Sequence, residues 1–149
     1  MGMFDSFAIS ASGLTAQRYR MDIIAENLAN QDTTRTEDGT PYRRKVVTFE
    51  EKGNTTSFSH ALNTATRTFA GQGVKVTGVY EDTWTDLIMA YDPSHPDADE
   101  NGYVAYPNVN TVAEMTDLIS ASRSFEANAT AFNASKSMAM KALELGQGS

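Results

Sequence analysis

An α+β fold is predicted for this chain of 149 residues, with a long helical arm at each end and a small β-rich segment between them. Three observations carry that reading. Apolar or small residues recur every seven positions from Phe4 to Leu28, no Gly or Pro interrupts 108–145, and short alternating stretches are confined to 42–106. The implied division is an N-terminal arm, 1–30, an acidic middle, 31–110, and a C-terminal arm, 111–149.

In the first arm Phe7, Leu14, Met21 and Leu28 form one sevenfold register. Phe4, Ala11 and Ala25 form its partner, broken by Arg18. Together they make a coiled-coil-like seam. Ile9, Ala16 and Ile23 form a further series displaced by two residues, hence roughly 200° around a helix that turns about 100° per residue. The helix is therefore apolar on two sides, and two sides need partners.

The second arm opens at Thr111-Val-Ala-Glu114, which has the spacing of a capping box. It is predicted to run to Leu145 and stop at Gly146, a rod roughly 50 Å long at about 1.5 Å per residue. Its stripe of large side chains is Leu118, Phe125 and Phe132, continued by Ala139 and Leu143. The opposite row, Ser120, Ser124, Ala127, Ala131 and Ala134, is small enough to let another backbone approach.

The middle reads as strands at Tyr42–Glu50, Val74–Thr83, Asp86–Tyr91 and Gly102–Tyr106. Between them, 53–73 is rich in Thr, Ser, Asn and Gly and reads as a mobile loop, within which "FSHAL" could form one helical turn. Of the formal charge of -7, the two arms contribute -1 each and the middle -5. An acidic middle argues against nucleic acid as a partner. The one basic cluster, Arg43-Arg44-Lys45, reads as a solvated strand. No cysteine is present, which excludes disulfides, thiolate metal sites and a cysteine nucleophile. Charged residues throughout 1–28 leave no uncharged core of signal-peptide type and no membrane span.

Candidate chemistry is sparse. Asp97-Ala-Asp99-Glu-Asn101-Gly102 matches the first half of an EF-hand calcium loop, but the twelfth position is Asn108 where a bidentate Glu is needed. A Gly-assisted turn before Tyr103 is the plainer reading, and a calcium-dependent extracellular binding module on 92–106 is the alternative from a different class. His60 and His95 are the only histidines, and no nucleophile motif accompanies them. The chain is therefore read as having no enzymatic activity, no metal site and no cofactor. Between Ala29 and Pro41 no large apolar side chain occurs, although Asn27, Asn30, Gln31 and Asp32 offer polar groups at the helix exit. They could be solvent-facing caps, or amides that bond to the backbone of a partner.

"SASGLTAQRYRMDIIAENLANQDT" resembles the N-terminal signature of bacterial flagellar rod and hook proteins. "DGTPYRRKVVTFEE", "YDPSHPDADENGYVAYPNVN" and "EMTDLISASRSFEANATAFNASKSMAMKALELG" are similar to the small proximal-rod members of that family. The resemblance covers about 11–51 and 91–147. It implies a structural axial subunit whose terminal helices pair as a coiled-coil-like bundle in the assembly, with the middle segment outside. Phe7, Leu14, Met21, Leu28, Leu118, Phe125, Phe132 and Leu143 are then expected in the helix–helix core. Ile9, Ala16, Ile23, Ser120, Ser124, Ala127, Ala131 and Ala134 are expected to face neighbours. Asn27, Asn30, Gln31, Thr33 and Thr34 carry over as assembly residues of the segment that leaves the helical core. The implied partners are copies of the chain, other rod proteins, membrane-ring and rod-adaptor proteins, and the flagellar type III export apparatus. That export route carries no cleaved signal peptide and places the chain in the basal body outside the cytoplasmic membrane. Another rod or hook axial protein is the alternative within the class.

Overall fold

The computed structural model describes residues 3–52 and 72–147. Its elements are α1 (Met3–Ala29), β1 (Lys45–Glu51), β2 (Val74–Glu81), β3 (Ile88–Tyr91), β4 (Tyr103–Tyr106) and α2 (Thr111–Gln147). This is the expected α+β arrangement of two long helices and a small antiparallel middle. β1 starts three residues later than its alternation suggested and ends one later, and each other strand is shorter at one end, because Tyr42, Arg43 and Arg44 precede the first ladder and Asp82-Thr83 enters a turn. "FSHAL", His60 and nearly all of the predicted loop lie outside the described residues.

β1 pairs with β2, and β3 with β4. In the second sheet the register sets Ile88 against Tyr106, Ala90 against Val104 and Tyr91 against Tyr103. The described residues form two compact units, each drawing on both helices: one comprises 3–18, 49–52, 72–77 and 123–147, the other 19–48 and 78–122.

In the first unit the helices meet through aromatic rings. Phe7 and Phe132 stand edge to face with centroids 5.0 Å apart. A β-carbon added at Gly13 would fall 2.7 Å from Asn128 Oδ1, so α1 and α2 meet there and a larger residue would displace that amide. Ser12 Oγ donates to the Ile9 carbonyl at 2.7 Å and accepts from the Val74 amide at 3.0 Å, pinning the start of β2 on α1. Gly73, one residue earlier, has φ of 90° and leaves no room for a β-carbon beside Ser12. Only glycine takes that conformation without strain.

The second unit has a polar centre. Its fully buried side chains of largest volume are Glu114, Val104, Asn27 and Pro107, with Ile24, Tyr42, Val109 and Ala121 also buried. The expected capping box is corrected here. Asn110 caps α2, its Oδ1 accepting from Ala113 N–H at 3.1 Å and its carbonyl from Glu114 N–H at 2.9 Å. The Glu114 side chain turns inward instead, toward partners that neutralise it, and α2 continues one residue past Gly146.

A polar knot at the exit of the first helix

Asn27 is 1% exposed and uses its whole hydrogen-bonding inventory. Nδ2 donates to the Lys45 carbonyl at 2.9 Å and to Glu114 Oε2 at 3.2 Å. Oδ1 accepts from Tyr42 O–H and from Lys45 N–H, each at 2.9 Å. One neutral side chain thus ties α1 to the start of β1 and to the first turn of α2. An amide is suited to that position because it both donates and accepts without a charge to desolvate.

Glu114, also 1% exposed, is the one buried acid of the knot. Arg44 Nε donates to Oε1 at 2.6 Å, and the guanidinium lies 3.8 Å from Asp117, which Arg20 holds at 3.0 Å. A buried carboxylate persists only when paired and hydrogen-bonded, and here both oxygens are occupied. Asn108 completes the set. Its Oδ1 accepts from Arg44 N–H at 2.9 Å, and its Nδ2 donates to the Asp82 and Thr85 carbonyls. Lys45 Nζ pairs with Glu26 at 2.5 Å and stands 5.6 Å from the centre of the Tyr42 ring. Burial, then the carboxylates of Glu26, Glu114 and Glu81, push the Tyr42 hydroxyl up to about 12. It therefore remains a donor to Asn27 across the neutral range. The Arg43-Arg44-Lys45 cluster, read from the sequence as a solvated strand, supplies two cations to this knot instead.

The segment after α1 folds back on its own chain. Asn30 Nδ2 donates to the Glu26 carbonyl and Oδ1 accepts from Thr33 Oγ1. Gln31 accepts from Thr111 Oγ1 at 2.6 Å, Thr34 donates to Asp97 at 2.8 Å, and Tyr42 N–H donates to the Thr33 carbonyl at 3.1 Å. Thirteen residues without a large apolar side chain are thus held by hydrogen bonds rather than by burial.

Two residues expected to face neighbours make their contacts within the chain. Asn27 spends its bonds within the chain, and Ala16 is 3% exposed, because the second side of α1 is where Ser12 holds β2 in one unit and Asn27 holds β1 in the other. Ile9 and Ile23 are half-buried on that helix. Of the expected core, Phe7 and Phe132 meet, and Leu14, Met21, Leu28, Leu118 and Phe125 are half-buried. Leu143 is instead 64% exposed, beyond the last buried position of α2 at Ala139. Ser120, Ala127, Ala131 and Ala134 are exposed, and Ser124 is half-buried. Sequence reasoning missed Tyr42, Arg44, Asn108 and Glu114 as members of one cluster. The signal available was the placement of Glu114 at the head of an apolar helix and of Asn108 between Pro107 and Val109.

The half EF-hand finds no support as a calcium site. Asp97 accepts from Thr34 and lies 3.7 Å from Arg35, while Asp99 Oδ1 accepts from the amides of Asn101 and Tyr103 and closes the turn with Gly102 at φ 81°. Among the described residues no three acidic, histidine or cysteine side chains could share a metal ion. Among the described residues, too, no helix is long and apolar enough to cross a membrane.

Two family models match the chain. One, described as flagella basal body rod protein, covers residues 7–35, and the other, described as flagellar basal body rod FlgEFG protein C-terminal, covers 100–145. The first spans α1 and the exit segment, the second β4 and nearly all of α2. The flagellar basal-body rod protein FlgC of Bacillus subtilis (strain 168) is 51% identical over 153 residues, 99% of this chain and 100% of that protein. The protein of the same name from Borreliella burgdorferi is 46% identical over the same shares. That of Escherichia coli O6:H1 is 43% identical over 147 residues, again 99% of this chain and all of the relative. With identity of this order along the whole chain, the chain belongs to the FlgC family of flagellar basal-body rod proteins.

Proposed function

We propose that this protein is a structural subunit of the proximal rod of the bacterial flagellar basal body, polymerising through its terminal helices and transmitting torque without making or breaking any bond. The observation that carries the reading is the open face of α2. Over a helix of 37 residues, one side faces α1 while Val112, Met115, Ile119, Met138, Met140 and Leu145 are exposed around its other sides, along with the small row at Ala127, Ala131 and Ala134. Exposed apolar and small side chains along that length favour helix contacts with further copies and with other rod proteins. Ile9, Ile23, Asn30, Gln31, Thr33, Thr34, Ser120 and Ser124 are proposed to border those contacts, with the polar knot giving every copy the same rigid exit from α1. The arms, 1–30 and 111–149, supply the axial packing and 31–110 the outward segment. Delivery through the flagellar type III export apparatus without a cleaved signal peptide, and contacts with membrane-ring and rod-adaptor proteins, complete the reading. Its mechanism is mechanical and involves no cofactor.

The test is Ala131→Leu. Three added heavy atoms at a close helix approach cost about 1–3 kcal/mol per site, repeated at every copy, while the lone chain tolerates leucine as a helix former. Cells with this variant are expected to export the chain normally, to lack rods and to be non-motile. Normal rods would overturn the proposal.

A further inference from the structure

Sheet β3–β4 has two unlike faces. Ile88, Ala90, Val104 and Tyr106 share one, on which Val104 is fully buried, and Met89, Tyr91, Tyr103 and Ala105 share the other. On the second face Met89, Tyr91 and Tyr103 are exposed, and the two tyrosine rings stand edge to face at 5.2 Å. Ala105 carries this face into a cavity of about 310 Å³ that Thr34, Arg35, Pro41, Pro96 and Asp97 also line. Trp84, the only tryptophan, is 93% exposed in the turn that leads into β3.

Charge decides what such a face can accept. Residues 78–122 hold nine acidic side chains and neither a lysine nor an arginine, in a chain whose formal charge is -7, so all the remaining residues together are slightly cationic. Glu114, Asp117 and Asp97 are paired with Arg44, Arg20 and Arg35, and the other six acids lie between Glu81 and Glu100. Hydrogen bonds from Thr85 hold Asp82, and those from Ser94 hold Asp92, below the usual carboxylate range, so both remain charged under mildly acidic conditions. The same face of a second copy would bring acid against acid, and polyanions are repelled. A surface of lysine and arginine is attracted, and arginine also stacks on tyrosine and tryptophan while its methylenes cover apolar area.

We propose that the Met89–Tyr91–Tyr103 face, with its acidic surroundings, docks a basic, arginine-bearing surface of a different protein. The proposal rests on the rod reading above, in which 31–110 points outward.

Two measurements test it. In the first, p-benzoylphenylalanine replaces Tyr91 and isolated basal bodies are irradiated; rods seen in those particles establish the rod reading independently. A cross-link to an arginine- or lysine-bearing peptide of another protein, weakened at least about fivefold by Asp86→Lys with Asp92→Lys, is the expected result. A cross-link to a second copy of this chain, or none from particles that contain rods, overturns the proposal. In the second, the purified chain is titrated with an alternating leucine–arginine dodecapeptide and its leucine–glutamate counterpart while Trp84 emission is followed. A saturable blue shift is expected with the arginine peptide alone, with affinity about tenfold lower for Tyr91→Ser/Tyr103→Ser, whose charges are intact. Equal affinity for that variant, or no shift, overturns the proposal whether or not rods form.

Discussion

Asn27→Asp changes one atom group and keeps the shape, so it isolates what the amide contributes to the knot. The carboxylate can no longer donate to the Lys45 carbonyl or to Glu114 Oε2, bonds of 2.9 and 3.2 Å in the native chain. Two lost bonds cost about 1 kcal/mol each, and the stranded acceptors raise that figure further. The new charge also sits beside Glu114. At an effective dielectric of about 20, two unit charges 4 Å apart repel by about 4 kcal/mol. Protonating an ordinary Asp at neutral pH to avoid the repulsion costs about as much, since about three pKa units at 1.36 kcal/mol each are involved. Partial compensation by Lys45 N–H and Arg44 leaves an expected destabilisation of about 4–6 kcal/mol, comparable with the whole stability of many domains. Asn27→Ser, which removes the bonds without adding a charge, is expected to cost about 2–3 kcal/mol. Urea unfolding of the purified chain followed by circular dichroism at pH 7 and pH 5 measures both. The Asp variant should recover part of its loss at pH 5 and the Ser variant should not. Equal losses for the two variants, or a loss below about 1 kcal/mol for either, would refute the view that Asn27 is the tie between α1, β1 and α2.

Three further outcomes follow from the same contacts. The Tyr42 hydroxyl is raised from 10.0 to about 12. The folded chain therefore holds its proton more tightly than the unfolded chain, and the stability this contributes is complete below pH 10 and lost as pH rises through 12; Tyr42→Phe should flatten that alkaline decline in melts between pH 9 and pH 12. Gly73→Ala forces a positive φ on alanine and a contact with Ser12 Oγ, so it should cost about 1–3 kcal/mol in a thermal melt, whereas Gly146→Ala, with open space around it, should cost nothing. Calorimetric titration should find no calcium binding tighter than millimolar, because Asp97 and Asp99 are already engaged and the twelfth ligand position is Asn108; a micromolar Kd would sink that reading.

The helices were legible because their signals are local and repeated. Sevenfold spacing located α1 and the stripe that brings Phe7 to Phe132, and the absence of Gly and Pro over 108–145 located α2. The strands were legible in place but not at their ends, since what stops β1 before Arg44 is the bond from Arg44 N–H to Asn108, 64 residues away in sequence. The knot was illegible for the same reason. Asn27, Arg44 and Glu114 each look like surface residues on their own segment, and only tertiary pairing makes a buried acid and a buried amide stable together. Ala16 was assigned outward because the sequence shows that α1 is apolar on two sides without showing that the chain's own β-segments cover the second.

The central claim is that each copy locks its own exit segment through Asn27 and Glu114 and offers the open side of α2 to its neighbours. An image reconstruction of isolated basal bodies at side-chain resolution tests it directly. The account predicts Asn27, Tyr42, Arg44 and Glu114 of a single subunit bonded to one another, and Ala127, Ala131 and Ala134 against a helix of an adjacent subunit. A knot assembled from residues of two subunits, or an α2 row left facing solvent in the rod, would contradict it.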